Sequence, residues 1–141
     1  MDVLVMGATG NVGGALVELL RARNVRVHAI TREARTWPDG VWGVVGDAND
    51  PASLAGAAAG MDGAFLMSGY AAEAQLLADL GPGRAALLSS SSVPLADSGN
   101  AMAAYHRDSE EAVKASDAAW TIVRPCSMQS NVTRWRRSTA C

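Results

Sequence analysis

Three glycines at fixed spacing are the first residues in the chain with a chemical use. Gly7-Ala8-Thr9-Gly10-Asn11-Val12-Gly13 follows the apolar run Val3-Leu4-Val5-Met6 and precedes residues with helical apolar spacing. A strand, a G-x-x-G-x-x-G loop and a helix in that order form an anion site. Gly7 allows the sharp turn off the strand, Gly10 lets a phosphate approach the backbone with no Cβ in the way, and Gly13 lets the helix pack closely. The free amides and positive dipole end of a helix starting near Asn11 then face a diphosphate. The chemistry implied is a cradle for the pyrophosphate of NADP(H) or NAD(H), with Gly7, Thr9, Gly10, Asn11, Val12 and Gly13 as expected contacts. The competing reading is a tight turn that holds nothing.

Ala29-Ile30-Thr31-Arg32 ends the second strand, where an NAD-selective site would place a carboxylate on the ribose hydroxyls. This chain has Thr31 and Arg32 there, with Arg35 close behind. A guanidinium pairs with a 2′-phosphate and stacks on adenine, so NADP(H) is the preferred cofactor and NAD(H) the alternative. Glu33 pulls the other way, and two solvated arginines are the plain alternative. Asp47, after the third strand, either accepts from the adenine amino group or caps the following turn.

A third set lies near residue 105. Tyr105 and His106 are candidate proton-transfer groups, but the position one helical turn after Tyr105 is Ser109, and Lys114 falls about half a turn round the helix from it. Without a nearby ammonium a tyrosine of pKa about 10 is a poor base at neutral pH. Packing of the Tyr105 ring on the sheet and a solvated helix-face position for His106 are the competing readings. Ser90, in the run Ser89-Ser90-Ser91-Ser92, is a third weak catalytic candidate.

The elements that must position these residues alternate along the chain. Strands are expected at Val3 to Met6, Val25 to Thr31, Val41 to Val45, Ala64 to Met67, Arg84 to Ser89 and Trp120 to Val123. Between them come a helix from Asn11 with the stripe Val12, Ala15, Leu16, Leu19 and Leu20, and a helix from Pro51 to Ala59 capped by Asp50. Two more follow, at Ala71 to Leu80 and about Ala101 to Ala115. Six strands alternating with helices imply an α/β, Rossmann-type doubly wound parallel sheet of order 3-2-1-4-5-6, a single domain over residues 1–125, with an irregular or truncated tail at 126–141.

Bulk properties exclude other classes. With 141 residues and a net charge of −2 the chain has one domain's length and no field to attract nucleic acid. Its two cysteines, Cys126 and Cys141, have neither disulfide-framework nor zinc spacing, and no metal site is expected. No apolar run approaches the roughly 20 residues that cross a bilayer. A reducing, cytoplasmic setting is the expectation.

Taken together, the glycine loop, Thr31-Arg32, Gly46-Asp47 with Asp50, Met67-Ser68-Gly69, Leu88-Ser89-Ser90 and Trp120-Thr121-Ile122-Val123-Arg124-Pro125 resemble the NmrA-like branch of the atypical short-chain dehydrogenases/reductases, from Met1 to about Asn131. The resemblance implies an NADP(H)-binding Rossmann core, with members that reduce quinones, azo compounds or similar acceptors and others that only sense nucleotide redox state. It implies that Met67, Ser68 and Gly69 line the nicotinamide-side ribose and that Ser89 and Ser90 approach the nicotinamide. The superfamily's tyrosine followed four residues later by lysine is absent here. The family's substrate-covering part, expected after Arg124-Pro125, also looks missing, so exposed apolar surface and self-association are expected. Trp135, among arginines, reads as an orphaned helix start or an anionic-surface contact. Two functions therefore compete: an NADP(H)-dependent oxidoreductase acting on a small acceptor, and a dinucleotide-binding module without catalysis. A sugar-nucleotide epimerase or dehydratase, which uses the same tyrosine–lysine device, fits less well.

Overall fold

The computed structural model describes residues 1–94 and 99–128. Six parallel strands form one sheet: β1 (Asp2–Val5), β2 (Arg26–Thr31), β3 (Val41–Val45), β4 (Gly63–Met67), β5 (Arg84–Leu88) and β6 (Ala119–Val123), in the order β3-β2-β1-β4-β5-β6. The expected order is thus observed. Helices α1 (Asn11–Arg21), α2 (Glu73–Leu80) and α3 (Ala101–Ala115) connect strands across it.

Apolar runs without alternation make β1 and β4 because both faces of the central strands are covered. Leu4, Met6 and Leu66 face α2 and α3 with Leu76, Leu87 and Val113, whereas Val5, Val27 and Phe65 face α1 with Val17. The period of two sends neighbouring side chains of one strand into different cores.

Two expectations are corrected. The segment after Asp50 is a single 3₁₀ turn, Pro51–Leu54, instead of a helix to Ala59. Asp50 caps it as expected, accepting from the Ala52 amide at 3.2 Å. Gly56 then takes the left-handed conformation (φ +75°) and donates its amide to Asp79 Oδ2 at 2.7 Å. An Ala/Gly segment whose apolar anchor is Leu54 has too little side chain to bury for a second helical turn to outweigh that bond. The second correction concerns α1. Its buried residues are Gly13 and Val17, with Val12, Leu16 and Leu20 packed partly beneath, while Ala15 and Leu19 are exposed.

The reason is that, among the described residues, α1 covers only part of its face of the sheet. Beyond it lies an apolar hollow of about 850 Å³ whose walls include Ala15, Leu19, Phe65, Ala86 and Trp120, and Trp120 is 46% exposed. No helix among the described residues is long and apolar enough to cross a membrane. Residues 129–141, with Trp135 and most of the tail, lie outside the described residues.

Candidate functional site

In an open parallel sheet, ligands bind beyond the carboxyl ends of the strands, where the strand order reverses, here between β1 and β4. The large apolar hollow lies elsewhere, along Gly63, Arg84 and Ala119 at the strand starts. The carboxyl ends instead gather the residues with chemistry.

The glycine loop has the geometry of an anion cradle. Gly7 sits at φ +67°, and a side chain there would collide with the Met67 sulfur. Gly13 lies so close to the Gly7 carbonyl that a Cβ could not be placed, which is what lets α1 start directly over the end of β1. Gly10 is the extended N-cap residue, with no side-chain cap. The first helical bond is Gly14 N–H to Gly10 O at 2.8 Å, so the amides of Asn11, Val12 and Gly13 precede the ladder. Thr9 and Asn11 are exposed beside them, while Val12 packs its side chain toward the core and has only its amide to offer.

A cavity of about 310 Å³ opens next to this loop, walled by Gly7, Thr9, Thr31, Arg32, Asp47 and Tyr70 among others. The Asp47 carboxylate accepts from the Asn49 amide at 2.8 Å, so it caps its own turn while standing on the cavity wall. Tyr70 was not foreseen; its signal in the sequence is its place directly after Ser68-Gly69. A second depression, about 450 Å³, is walled by Thr9, Thr31, Arg32, Glu33, Ala34 and Arg35. The Arg35 guanidinium carbon stands 4.7 Å over the Trp37 ring, a cation–π contact that orders it.

The other end of the site is a network between β4, β5 and α3. Ser68 Oγ donates to the Leu88 carbonyl (2.9 Å) and lies 2.5 Å from His106 Nδ1. His106 is therefore half-buried and bonded, in place of the solvated position that was its alternative; burial lowers its pKa and Glu110 only partly offsets this. Tyr105 packs its ring against Gly69 (φ +90°) and 4.2 Å from the His106 ring, a correction to packing on the sheet. Ser109, where a lysine would stand, is buried and accepts from the Gly69 amide at 3.0 Å. Glu73 accepts from the Tyr70 amide at 2.9 Å, and burial pushes its carboxyl upward. The β4–α2 turn is thus pinned from both helices.

Glu110 is the strongest feature that sequence reasoning missed. It is 1% exposed, receives Ser89 Oγ at 2.7 Å and Arg124 Nε at 2.7 Å and Nη2 at 2.5 Å, and pairs with Lys114 at 3.4 Å. The bidentate Arg124 guanidinium, helped by Ser89, pulls its pKa to about 2 against the cost of burial. Two expectations meet this clamp. Lys114 is indeed engaged away from Tyr105, and the Ser89 hydroxyl is directed to Glu110 instead of a ligand. Ser90 Oγ accepts from the Ser92 amide (3.1 Å) and hydroxyl (2.9 Å). The only sequence hint was an acidic residue inside α3 and an arginine closing β6, which no spacing rule connects.

Comparison with known proteins agrees with this geometry. The chain is 34% identical over 141 residues to (4-alkanoyl-5-oxo-2,5-dihydrofuran-3-yl)methyl phosphate reductase of Streptomyces griseus, covering 94% of this chain and 50% of that protein. Its fold matches the Citrobacter sp. triphenylmethane reductase complexed with NADP(H), at TM-score 0.79 and 24% identity, covering 99% of this chain and 55% of the other. It also matches an oxidoreductase from Lactococcus lactis at TM-score 0.73 and 19% identity, covering 89% and 68%. The chain spans about half the length of the curated relative it matches. A family model described as NAD(P)H-binding matches residues 7–139, and by that match the chain belongs to the NAD(P)H-binding family.

Proposed function

We propose that this chain is the cofactor-binding part of an NADP(H)-dependent oxidoreductase of the NmrA-like type, delivering hydride to a small conjugated acceptor such as a quinone or azo compound. The observation that carries the cofactor preference is the wall of the depression beside the cavity at the glycine loop, which we assign to the adenosine: two guanidiniums, Arg32 and Arg35, against one carboxylate, Glu33. A 2′-phosphate there gains charge-assisted bonds that NAD(H) cannot make. When bound, NADPH supplies the hydride. The glycine loop binds its diphosphate, Arg32 and Arg35 hold the 2′-phosphate, and the pinned Ser68–Tyr70 turn orients the nicotinamide side. The names of two reductases among the similar proteins, one for a furanone phosphate and one for triphenylmethane dyes, support a conjugated acceptor.

The second reading, a dinucleotide-binding module without catalysis, is favoured by one observation: Ser109 stands where the tyrosine's lysine would be. We place the protein in the cytoplasm, and we expect it to self-associate through the apolar hollow beside Trp120; a sedimentation-equilibrium run showing only monomer removes the last point.

The test is a titration of the purified chain with NADPH and NADH, with Arg32→Ala in parallel. Loss of one charged hydrogen bond weakens NADPH by about 10- to 100-fold and leaves NADH within about twofold. Equal affinity for both nucleotides in the unmodified protein would overturn the preference. Steady NADPH oxidation with a quinone or dye, above the acceptor-only blank, separates the enzyme from the module.

A further inference from the structure

The β4–α2 turn and α3 approach each other where the second half of a dinucleotide must lie. The adenosine cavity is built on the ends of β1, β2 and β3, so a dinucleotide crossing the glycine loop has the ends of β4 and β5 for its other ribose. A ribose presents vicinal hydroxyls, which need directed partners. The usual ammonium has no counterpart at its own position: position 109 is a buried serine committed to the Gly69 amide, and among the described residues Lys114 and Arg124 are paired with Glu110.

The His106 ring stands there, bonded to Ser68. Ser68 has a single hydroxyl proton, and it goes to the Leu88 carbonyl at 2.9 Å. The contact of 2.5 Å to His106 Nδ1 is therefore satisfied when the ring carries its proton on Nδ1 and Ser68 Oγ accepts it. That tautomer, assigned from the hydrogen bonds, leaves Nε2 as a lone pair on the far edge of the ring. Burial keeps the ring in its neutral form at neutral pH. A neutral imidazole with a free Nε2 can accept a hydrogen bond and cannot donate one there, which suits a ribose hydroxyl and does not suit a proton donor to substrate. Tyr105, 4.2 Å away and resting on Gly69, limits the ring's freedom on one side.

We propose that His106, oriented by Ser68, replaces the missing lysine as the anchor of the nicotinamide-side ribose, its Nε2 accepting from a ribose hydroxyl. Ser68 is then a positioning residue and His106 a cofactor contact. This rests on the dinucleotide reading above, and the experiment separates the two. The dissociation constants of NADPH and of adenosine 2′,5′-bisphosphate, which lacks the nicotinamide half, are measured by calorimetry on the whole chain and on His106→Ala, His106→Gln, Ser68→Ala and the Ser68→Ala/His106→Ala double variant.

Removing one neutral hydrogen bond weakens NADPH by about 3- to 10-fold, while the bisphosphate stays within about twofold. His106→Gln, which keeps an acceptor, recovers part of the loss. The double variant loses no more than His106→Ala alone, because Ser68 acts through the ring. Equal weakening of both ligands marks a purely structural histidine and overturns the proposal, as does an unchanged NADPH affinity. If the unmodified chain binds the bisphosphate and NADPH equally well, the nicotinamide half has no seat and the proposal fails while the adenosine site stands. If it binds neither, the dinucleotide reading itself fails and takes this inference with it. Should His106→Ala not fold, His106→Gln and Ser68→Ala give the same comparison between ligands.

Discussion

Replacing Glu110 by glutamine tests how β5, α3 and the end of β6 are held together. The carboxylate is buried, takes two bonds from Arg124 and one from Ser89, and has its pKa drawn from the ordinary 4.5 to about 2. That depression corresponds to roughly 3 kcal/mol of folding stability, since each pKa unit is about 1.4 kcal/mol. Because the folded-state pKa lies below the unfolded one, the contribution is complete above about pH 5 and is lost as pH falls from 4.5 through 2. Glu110→Gln keeps the shape, removes the charge and leaves Arg124 and Lys114 without their counter-ion. Urea denaturation at neutral pH is expected to show the variant less stable by roughly 3 kcal/mol, a large share of a small domain's total. The gap between the two proteins should shrink to less than about half by pH 3, because the unfolded-state carboxylate takes up its proton there while the native one stays largely ionised. A gap below about 1 kcal/mol at pH 7, or one that does not change between pH 7 and pH 3, would refute the claim that charge pairing carries the clamp.

Other perturbations follow from single contacts. Gly13→Ala drives a methyl into the Gly7 carbonyl, which cannot yield, so thermal unfolding should show a loss of about 1–3 kcal/mol and NADPH affinity should fall with it. Gly56→Ala meets nothing within 4 Å and pays only for its left-handed backbone, so a cost of about 1–2 kcal/mol with nucleotide affinity unchanged is expected from the same scan. Asn100 Oδ1 accepts from the Ala103 amide at 3.1 Å at the start of α3, and Asn100→Ala should lower stability by about 1 kcal/mol in urea.

Much of the architecture was legible because it depends on local patterns. Val3-Leu4-Val5-Met6, the glycine loop and the apolar spacing after Asn11 placed the first strand, turn and helix, and the alternation of later runs implied the observed strand order. The glycine spacing marked the loop to which we assign the diphosphate because each glycine meets a backbone constraint from residues near it in sequence or from Met67 above it. Residues 51–59 misled because their five alanines favour a helix locally, whereas the left-handed Gly56 and its tertiary bond to Asp79 decided the outcome.

What the amino-acid sequence determined by itself was thus the order of elements, the glycine loop between β1 and α1, the two arginines after β2 and the serine in place of a lysine four residues after Tyr105. What only the tertiary structure decided was which polar groups meet. The Ser68–His106 contact spans 38 residues and the Ser89–Glu110 bond spans 21. Arg124 reaches Glu110 only because β6 lies beside β5. Periodicity reports which face a side chain takes, through forces that act within a few residues. A hydrogen bond between strand ends and a helix depends on where three separately formed elements come to rest, and that information is carried by the packed sheet.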